Sequence, residues 1–188
     1  MNGNSIENAG EIERLVQACR AGDRASFNEL VGLYQRRAMQ VAVRMLGDAD
    51  EAAEAVQNGF VKVYLNINRL REPKRFETWF FRIIANTAIS QQRTAKGRAE
   101  KIRITGDCEG KKVFTPEQKE VGKELKEAIR RAMLKLSKKQ AQAIALFGIE
   151  DLPQDEVAKI MGCSAEAVRW HVFKARQKLK VLLKDFLE

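Results

Sequence analysis

The sequence predicts an all-α protein made of two small helical domains joined by a flexible linker. Of its 188 residues, 45% are hydrophobic, 31% are charged and only 3 are prolines, which is typical of a globular, soluble chain. Leu, Ala, Glu, Lys, Arg and Gln dominate, and all of them favour helices. Apolar residues recur at spacings of three and four rather than alternating with polar ones, which indicates helices and not strands.

Glycine–aspartate pairs mark the helix ends in the first half of the chain. Gly22 and Gly47 are each followed by an aspartate, so a residue that ends helices stands beside one that begins them. Glu51 follows the second aspartate at the spacing of a capping box. These signals predict helices at 10–21, 24–46, 49–67 and 76–95. Their apolar stripes would form the core of a first domain over residues 1–95.

The helical pattern fails between residues 94 and 122, where glycines and charges are frequent. We expect most of this stretch, residues 96–119, to be a flexible linker. Helical patterns then return, and they predict helices at 117–136, 138–149, 154–161 and 165–185. These helices would form a second domain over residues 120–188. The prolines at 73, 116 and 153 agree with these borders.

The net charge of +9 is concentrated in the middle of the chain. Residues 69–103 carry 10 basic and 3 acidic residues, whereas residues 1–68 carry 7 basic and 9 acidic ones. A basic segment of this kind suggests nucleic acid as the first partner and an anionic membrane as the second. The 3 cysteines are far apart and form no CxxC motif, and the chain starts without a signal-peptide pattern, so we expect a reduced, cytoplasmic protein.

The stretch EVAKIMGCSAEAVRWHVFKARQKLK, residues 156–180, predicts a helix-turn-helix. Gly162 stands where a sharp turn needs positive φ, and Ser164 is a suitable N-cap for the second helix. The inward face of that helix would carry Val168, Val172, Ala175 and Leu179. On the opposite side a helical wheel places Trp170, Phe173, Lys174 and Gln177. A helix of this kind fits the major groove of DNA, braced by the helix before it.

Seven residues of this motif are our candidates for DNA contact: Ser164, Arg169, Trp170, His171, Phe173, Lys174 and Arg176. The alternative is an ordinary helical hairpin with a solvated basic face, in which Trp170 serves packing. His171 is expected to face a phosphate rather than a metal, because Cys163 and His171 together supply only two ligands. No metal site or cofactor is expected.

A second basic region, residues 69–101, combines aromatic residues with Arg, Asn and Gln. Rings can stack on unpaired bases, amides can read base edges and cations can hold phosphates. Trp79, Phe80 and Ile83 are better explained as core. Asn86 is hard to explain as core because a buried amide needs a partner.

Three segments together resemble the extracytoplasmic-function (ECF) class of bacterial sigma factors, group four of the sigma-70 family. FETWFFRIIANTAISQQR (76–93) resembles the promoter-melting segment of that class, and DADEAAEAVQNGFVKVYLNINRL (48–70) resembles its polymerase-binding helix. Residues 136–179, from LSKKQAQAIALF to ARQKL, are similar to its C-terminal domain. The resemblance extends over nearly the whole chain, in the order that the family shows.

The resemblance implies a sigma-two-like domain followed by a sigma-four-like domain, with roles that we carry over residue by residue. Docking on the core polymerase would involve Asp50, Glu51, Glu54, Gln57, Asn58 and Val61. Recognition of the melted minus-ten element would involve Lys74, Arg75, Phe76, Arg82, Asn86, Ser90, Gln91 and Arg93. The minus-thirty-five element would lie on the helix-turn-helix. The implied partners are bacterial core RNA polymerase, promoter DNA and a cognate anti-sigma factor, which in this family can hold the sigma factor at the inner membrane.

Two departures from the family pattern bear on these roles. Gly59 lies inside the docking helix, where glycine costs about 1 kcal/mol relative to alanine, so we expect a kinked or weakened helix. Trp170 and His171 replace the Ser and Arg of many relatives, which leaves the minus-thirty-five sequence open. Whether the two domains pack together also stays open, and a compact form would predict weak DNA binding without polymerase.

Two other classes of function fit the sequence less well. A stand-alone helix-turn-helix regulator with an N-terminal dimerisation or sensing domain is the alternative, but such a domain has no need of the aromatic, basic helix at 76–93. An enzyme would need a carboxylate cluster, metal ligands or an activated nucleophile. One His, two Tyr and dispersed acids supply none of these, and the acids around Asp48 are explained by capping.

Overall fold

Eight α-helices make up most of residues 3–102 and 123–186, the parts of the chain that the computed structural model describes. They are α1 (Gly3–Arg20), α2 (Arg24–Leu46), α3 (Ala49–Asn66), α4 (Phe76–Ile102), α5 (Lys123–Leu134), α6 (Lys138–Leu146), α7 (Gln154–Met161) and α8 (Ala165–Leu182). Single turns of 3₁₀-helix lie at Ile67–Arg69, Pro73–Arg75 and Lys184–Phe186. These ranges contain no strand, which confirms the all-α prediction.

The predicted glycine–aspartate boundaries are confirmed at α2 and α3. The carboxylate of Asp23 accepts the backbone N–H of Ala25 at 2.9 Å, and Gly47 ends α2 with a φ of 80°. Asp48 accepts the N–H of Glu51 at 2.8 Å. Each aspartate satisfies N–H groups that have no partner inside the helix, so the boundaries are fixed locally by sequence.

Aromatic side chains form the centre of the N-terminal bundle, which consists of α1–α4. The ring of Tyr34 in α2 lies 5.3 Å from Phe76 and 5.0 Å from Phe80, centroid to centroid. All three rings are buried, whereas Trp79 and Ile83 are partly buried against them. The core role expected for Phe80 is therefore confirmed, and α4 is held by rings on its inner face.

Gly59 lets α3 and α4 approach each other closely, and it does not break α3. The helix runs without interruption from Ala49 to Asn66, so the glycine does not divide it. A Cβ added at this position would lie 2.5 Å from Cδ1 of Ile84, which is fully buried in α4. The glycine is explained by close packing, a property that helix propensity alone does not contain.

The helix α4 is longer than the sequence predicted. It continues to Ile102, so residues 96–102 are helical and not part of a flexible linker. Alanine, lysine, arginine and glutamate dominate this stretch, and their helix propensity outweighs the single glycine within it. The rest of the predicted linker, residues 103–119, lies outside the described residues, as do the first six residues of the helix predicted at 117–136.

The C-terminal bundle consists of α5–α8 and is closed by contacts between its helix ends. The N-cap Ser137 and Gln140 form a reciprocal capping box at the start of α6, which the sequence analysis missed. The amide of Gln154 at the start of α7 donates to the carbonyl of Ala165 at 2.5 Å, and it joins the first turns of α7 and α8. None of the helices in the described part of the chain combines the length and apolarity that a membrane crossing needs.

The two bundles pack against each other. Helix α2 lies along α6, and α4 lies beside α7. Buried residues of both bundles join in one hydrophobic cluster. The question left open by the sequence is therefore answered in favour of a closed arrangement.

Candidate nucleic-acid interfaces and polymerase-docking face

The turn between α7 and α8 has the geometry predicted for a helix-turn-helix. Gly162 ends α7 with a φ of 62°, in the left-handed region that favours glycine. Its N–H and that of Cys163 both donate to the carbonyl of Ala158. The hydroxyl of Ser164 accepts the N–H of Ala167 at 3.2 Å, so Ser164 caps α8 as predicted.

The predicted inward and outward faces of α8 are confirmed. Val168, Val172 and Ala175 are buried in the C-terminal bundle. On the opposite face Trp170 and Phe173 are 54% and 55% exposed. Large apolar side chains that stay exposed beside cations are typical of an interaction site and not of a solvated helix face.

Cations border these two aromatic residues. Lys174 lies with its Nζ 6.0 Å from the ring centroid of Phe173. Arg169 pairs loosely with Glu166 at 3.7 Å across one turn of the helix, and Arg176 is exposed on the same helix. An exposed pair of this kind contributes little to stability, so Arg169 can exchange Glu166 for a phosphate or a base edge.

His171 occupies the flank of α8 rather than its outer face. Its ring meets Trp170 edge-on at 5.0 Å, and its Nδ1 is buried without a hydrogen-bond partner in the described part of the chain. Burial and the nearby charge of Lys139 lower the pKa of the imidazole. It is therefore neutral at pH 7 and brings no charge to a phosphate, which weakens the phosphate-facing role expected for it.

The exposed strip of α4 carries three of the residues predicted to contact the minus-ten element. Arg82, Asn86 and Ser90 recur every four residues, so they line one face, and all three are exposed. The guanidinium of Arg82 lies 3.9 Å from the carboxylate of Glu156 in α7. The puzzle of Asn86 is resolved because its amide is not buried.

The segment before α4 also contributes basic residues, but Phe76 does not belong with them. Lys74 and Arg75 are exposed in the 3₁₀ turn, where Arg75 pairs with Glu72 at 2.9 Å. Phe76 is only 1% exposed and packs on Tyr34. The expected DNA contact of Phe76 is therefore corrected to a core role, since its ring has no surface to offer a base.

The remaining two minus-ten candidates have different positions. Gln91 donates from Nε2 to Glu54 of α3 at 2.8 Å, so it links the strip on α4 to a predicted docking residue. The side chain of Arg93 lies outside the described part of the structure. Sequence reasoning missed Lys62, whose Nζ donates to the hydroxyl of Thr87 at 3.0 Å. This cation therefore lies on α3 next to the polar strip of α4.

The predicted docking residues share the outer side of α3. Asp50, Glu54, Gln57, Asn58 and Val61 are exposed, and Glu51 is partly buried at the helix start. Sequence reasoning missed two exposed apolar neighbours, Tyr64 and Leu65, the latter 71% exposed. Leu65 follows Val61 by four residues, so continuing the outward face by one turn would have found it.

Comparisons with known proteins agree with this arrangement. The family model described as Sigma-70 region 2 matches residues 30–98, and that described as Sigma-70, region 4 matches residues 126–179. The first range holds the predicted docking face and the strip Arg82–Asn86–Ser90 on α4. The second holds the helix-turn-helix.

Full-length relatives show the same order of parts. The chain is 32% identical over 178 residues to the ECF RNA polymerase sigma-E factor of Haemophilus influenzae, which covers 89% of this chain and 93% of the relative. It is 28% identical over 182 residues to the ECF RNA polymerase sigma factor SigW of Bacillus subtilis, with 93% and 97% covered.

Two solved structures share the fold. The sigma factor RpoE of Bartonella quintana, crystallised with the anti-sigma factor NepR, is 23% identical with a TM-score of 0.69, over 84% of this chain and 96% of that one. CnrH, in complex with the cytosolic domain of CnrY, is 22% identical with a TM-score of 0.61, over 93% and 98%. A docking face, a helix-turn-helix and both family regions thus occur on one chain, which belongs to the ECF class of sigma-70 family RNA polymerase sigma factors.

Proposed function

We propose that this sigma factor directs core RNA polymerase to promoters by recognising the minus-thirty-five element with α8 and the melted minus-ten element with α4. The observation that carries the proposal is the presence of two separate DNA-type surfaces on one chain. One surface is the exposed aromatic, basic face of α8. The other is the polar, basic strip Arg82–Asn86–Ser90 on α4.

The face of α8 suits double-stranded DNA. Arg169 and Lys174 would contact phosphates or guanine edges in the major groove, and Phe173 would lie against a thymine methyl group. Trp170 is larger than the side chain that many relatives have there. We therefore expect it to shape the preference for the minus-thirty-five sequence.

The strip on α4 suits a single strand. The amide of Asn86 would read the edge of a base that has left the stack, while Arg82, Lys74 and Arg75 would hold the strand by its phosphates. A surface that binds flipped bases more tightly than paired ones shifts the equilibrium towards the melted state. Strand opening therefore needs no catalytic group on this chain.

The exposed side of α3 would dock on the polymerase. Its acidic start at Asp50 and Glu54 leads into the apolar patch of Val61, Tyr64 and Leu65. An apolar centre with a charged rim is a common composition for a protein interface. One structural relative, RpoE, was solved with an anti-sigma factor, which supports a cognate anti-sigma factor as a further partner of this chain.

Run-off transcription tests the proposal. Bacterial core polymerase is incubated with a pool of genomic fragments, with and without this protein. We expect discrete transcripts that need both components, and the sequences upstream of their starts supply the two promoter elements. Footprints made by the protein alone, without any new transcript, would instead indicate the stand-alone helix-turn-helix regulator.

A further inference from the structure

A single arginine in α2 joins the two bundles. Arg37 donates from Nε and Nη2 to Oε2 of Glu150, at 3.0 and 2.9 Å. Glu150 lies between α6 and α7, 113 residues further along the chain. The same guanidinium donates from Nη1 to Glu77 at the start of α4. One side chain therefore links α2, α4 and the C-terminal bundle through charge-assisted hydrogen bonds.

The N-terminal bundle holds Arg37 in position on its own. The guanidinium carbon lies 4.9 Å from the ring centroid of Phe81 and 5.6 Å from that of Tyr34. The hydroxyl of Tyr34 donates to Glu77 at 3.2 Å, which fixes the carboxylate that Arg37 also binds. A planar guanidinium stacked in this way loses little further freedom when it pairs with Glu150.

Glu150 depends on this partner because its side chain is only 4% exposed. Burial raises the pKa of the carboxyl, and the charge and hydrogen bonds of Arg37 oppose that rise. For Arg37, burial acts against the charge, but Glu77 and Glu150 together raise the pKa of the guanidinium. Both pKa values are therefore raised, which favours the charged form of Arg37 and the neutral form of the Glu150 carboxyl. A carboxylate left in this site without Arg37 would be strongly unfavourable.

The closed arrangement places α7 beside the proposed single-strand surface. Arg82 on the strip of α4 faces Glu156 of α7 at 3.9 Å. The carboxylate lies close enough to compete with a phosphate for Arg82, whose side chain is 49% exposed. Trp170 and Phe173 on α8 stay exposed in the same arrangement. Closure therefore brings α7 and its negative charge beside the exposed strip on α4, where both would compete with an approaching strand.

We propose that Arg37 and Glu150 form a latch that keeps the C-terminal bundle closed over α4, so that the latch must open before α4 binds a melted strand. The first half concerns only the arrangement of the bundles. The second half rests on the proposed function of α4. The two halves predict different measurements.

Small-angle scattering of the full chain tests the first half. A single compact body of 188 residues has a radius of gyration of about 16 Å. We expect Arg37→Met, which keeps the length and apolar packing of the side chain but removes its charge, to increase the radius by about 3–5 Å. The matched control is Arg36→Met on the same helix, since Arg36 has no ion pair within the described residues, and it should leave the radius unchanged.

A variant in the C-terminal bundle excludes the explanation that Arg37→Met acts by disturbing the N-terminal bundle. Glu150→Lys places a cation opposite Arg37 and leaves Tyr34, Glu77 and Phe81 untouched. We expect the same increase in radius, with the helical circular dichroism of the wild type. An unchanged radius in this variant would overturn the latch.

Binding of a fluorescein-labelled, mixed-sequence single-stranded 20-mer tests the second half. If about nine in ten wild-type molecules are closed, opening tightens binding to α4 by up to about tenfold. Glu150→Lys should therefore show a larger radius and tighter binding together. A larger radius with unchanged affinity would show that closure does not hinder α4 and would overturn the second half of the proposal. Absence of single-strand binding in both proteins would instead contradict the single-strand role of α4.

Discussion

The two DNA-type faces of this sigma factor differ in their surroundings. The face of α8 presents Trp170 and Phe173 to solvent, each more than half exposed, and its cations have only weak or local partners. The strip on α4 lies beside the C-terminal bundle, where Glu156 approaches Arg82. The closed arrangement therefore places an acidic side chain of the other bundle beside the strip on α4.

This difference implies an order of events. Under the proposed latch, duplex contacts through α8 would be available in the closed molecule, whereas capture of a melted strand by α4 would require the bundles to separate. The sequence analysis expected a compact form to bind DNA weakly in general. With the bundles arranged as they are, we expect weak binding only at the single-strand surface on α4.

The largest effect is expected on the exposed face. Replacing Trp170 and Phe173 together by alanine should reduce promoter-dependent transcription by about 10–100-fold, because both are exposed aromatic anchors of the proposed duplex contact. The free energy of unfolding should change by less than about 0.5 kcal/mol, as is usual for exposed positions. Run-off yield and urea unfolding measure the two quantities.

The control for this variant is Val181→Ala, which removes an exposed apolar side chain from α8 beyond the proposed contact. It should leave transcription unchanged. If it impaired transcription as much as the aromatic pair, the contact would extend along the helix and not be centred on Trp170 and Phe173.

The next effect concerns the packing that positions α4. Gly59→Ala adds a methyl group that would lie 2.5 Å from Cδ1 of the fully buried Ile84, so this side chain must leave its place in the core. We expect the loss of packing at Ile84 to cost more free energy of unfolding than the higher helix propensity of alanine gains. Gly32→Ala in α2 has open space around the added Cβ and should be stabilising by about 0.5–1 kcal/mol.

Urea unfolding measures the free energy of unfolding of both variants. We expect Gly59→Ala to be less stable than Gly32→Ala by about 1–3 kcal/mol. The pair Gly59→Ala/Ile84→Val should recover part of the loss because it removes the methyl group in conflict. Equal stabilisation by both glycine substitutions would mean that Ile84 moves without resistance.

A smaller effect separates the two faces directly. Glu156→Gln removes the charge opposite Arg82 and should tighten binding of a labelled single strand by up to about threefold, the scale of an exposed ion pair. Glu166→Gln removes the charge opposite Arg169 and should affect only duplex binding. Fluorescence anisotropy with single-stranded and duplex probes measures both affinities for each variant. If each variant changed the binding of both probes equally, the two faces would not act separately.

The smallest effect is a pH dependence at α8. The pKa of His171 is lowered by burial and by Lys139, so the folded chain binds this proton less readily than the unfolded chain does. The stabilising contribution is present above the ordinary pKa of about 6.5 and is lost as the pH falls through the lowered pKa. We expect a loss below about 1 kcal/mol between pH 7.5 and 5, because the ring is partly exposed.

Comparison with His171→Gln isolates this contribution. The variant should lose that part of the pH dependence and keep the rest, as measured by urea unfolding at both values. If the free energy of unfolding fell equally with pH in the wild type and in His171→Gln, other groups would be responsible for the loss.

Local patterns were sufficient for the elements that depend on neighbours in sequence. The caps at Asp23 and Asp48, the left-handed Gly162 and the two faces of α8 follow from rules that act within a few residues. The same rules placed Val168 and Val172 in the core. A helix that has one apolar side can bury only that side.

The misses have a different origin. The pair Arg37–Glu150 joins residues 113 positions apart, and no local pattern marks either of them. Phe76 was assigned to DNA through the family resemblance, and only its packing on Tyr34 shows that its ring is in the core. Gly59 was judged by propensity, although its reason lies in the neighbouring helix. In each case the position is explained by a tertiary contact, which the rules that act on neighbouring residues do not contain.

The buried position of Glu150 has a consequence for the exchange of domains between related proteins. A chimera that joins this N-terminal bundle to a foreign C-terminal bundle without an acid at that position would leave Arg37 facing an apolar or basic surface. The two halves are thus matched to each other as well as to polymerase and DNA. If the latch holds, a chimera of this chain that separates residue 37 from residue 150 should fold but close less tightly.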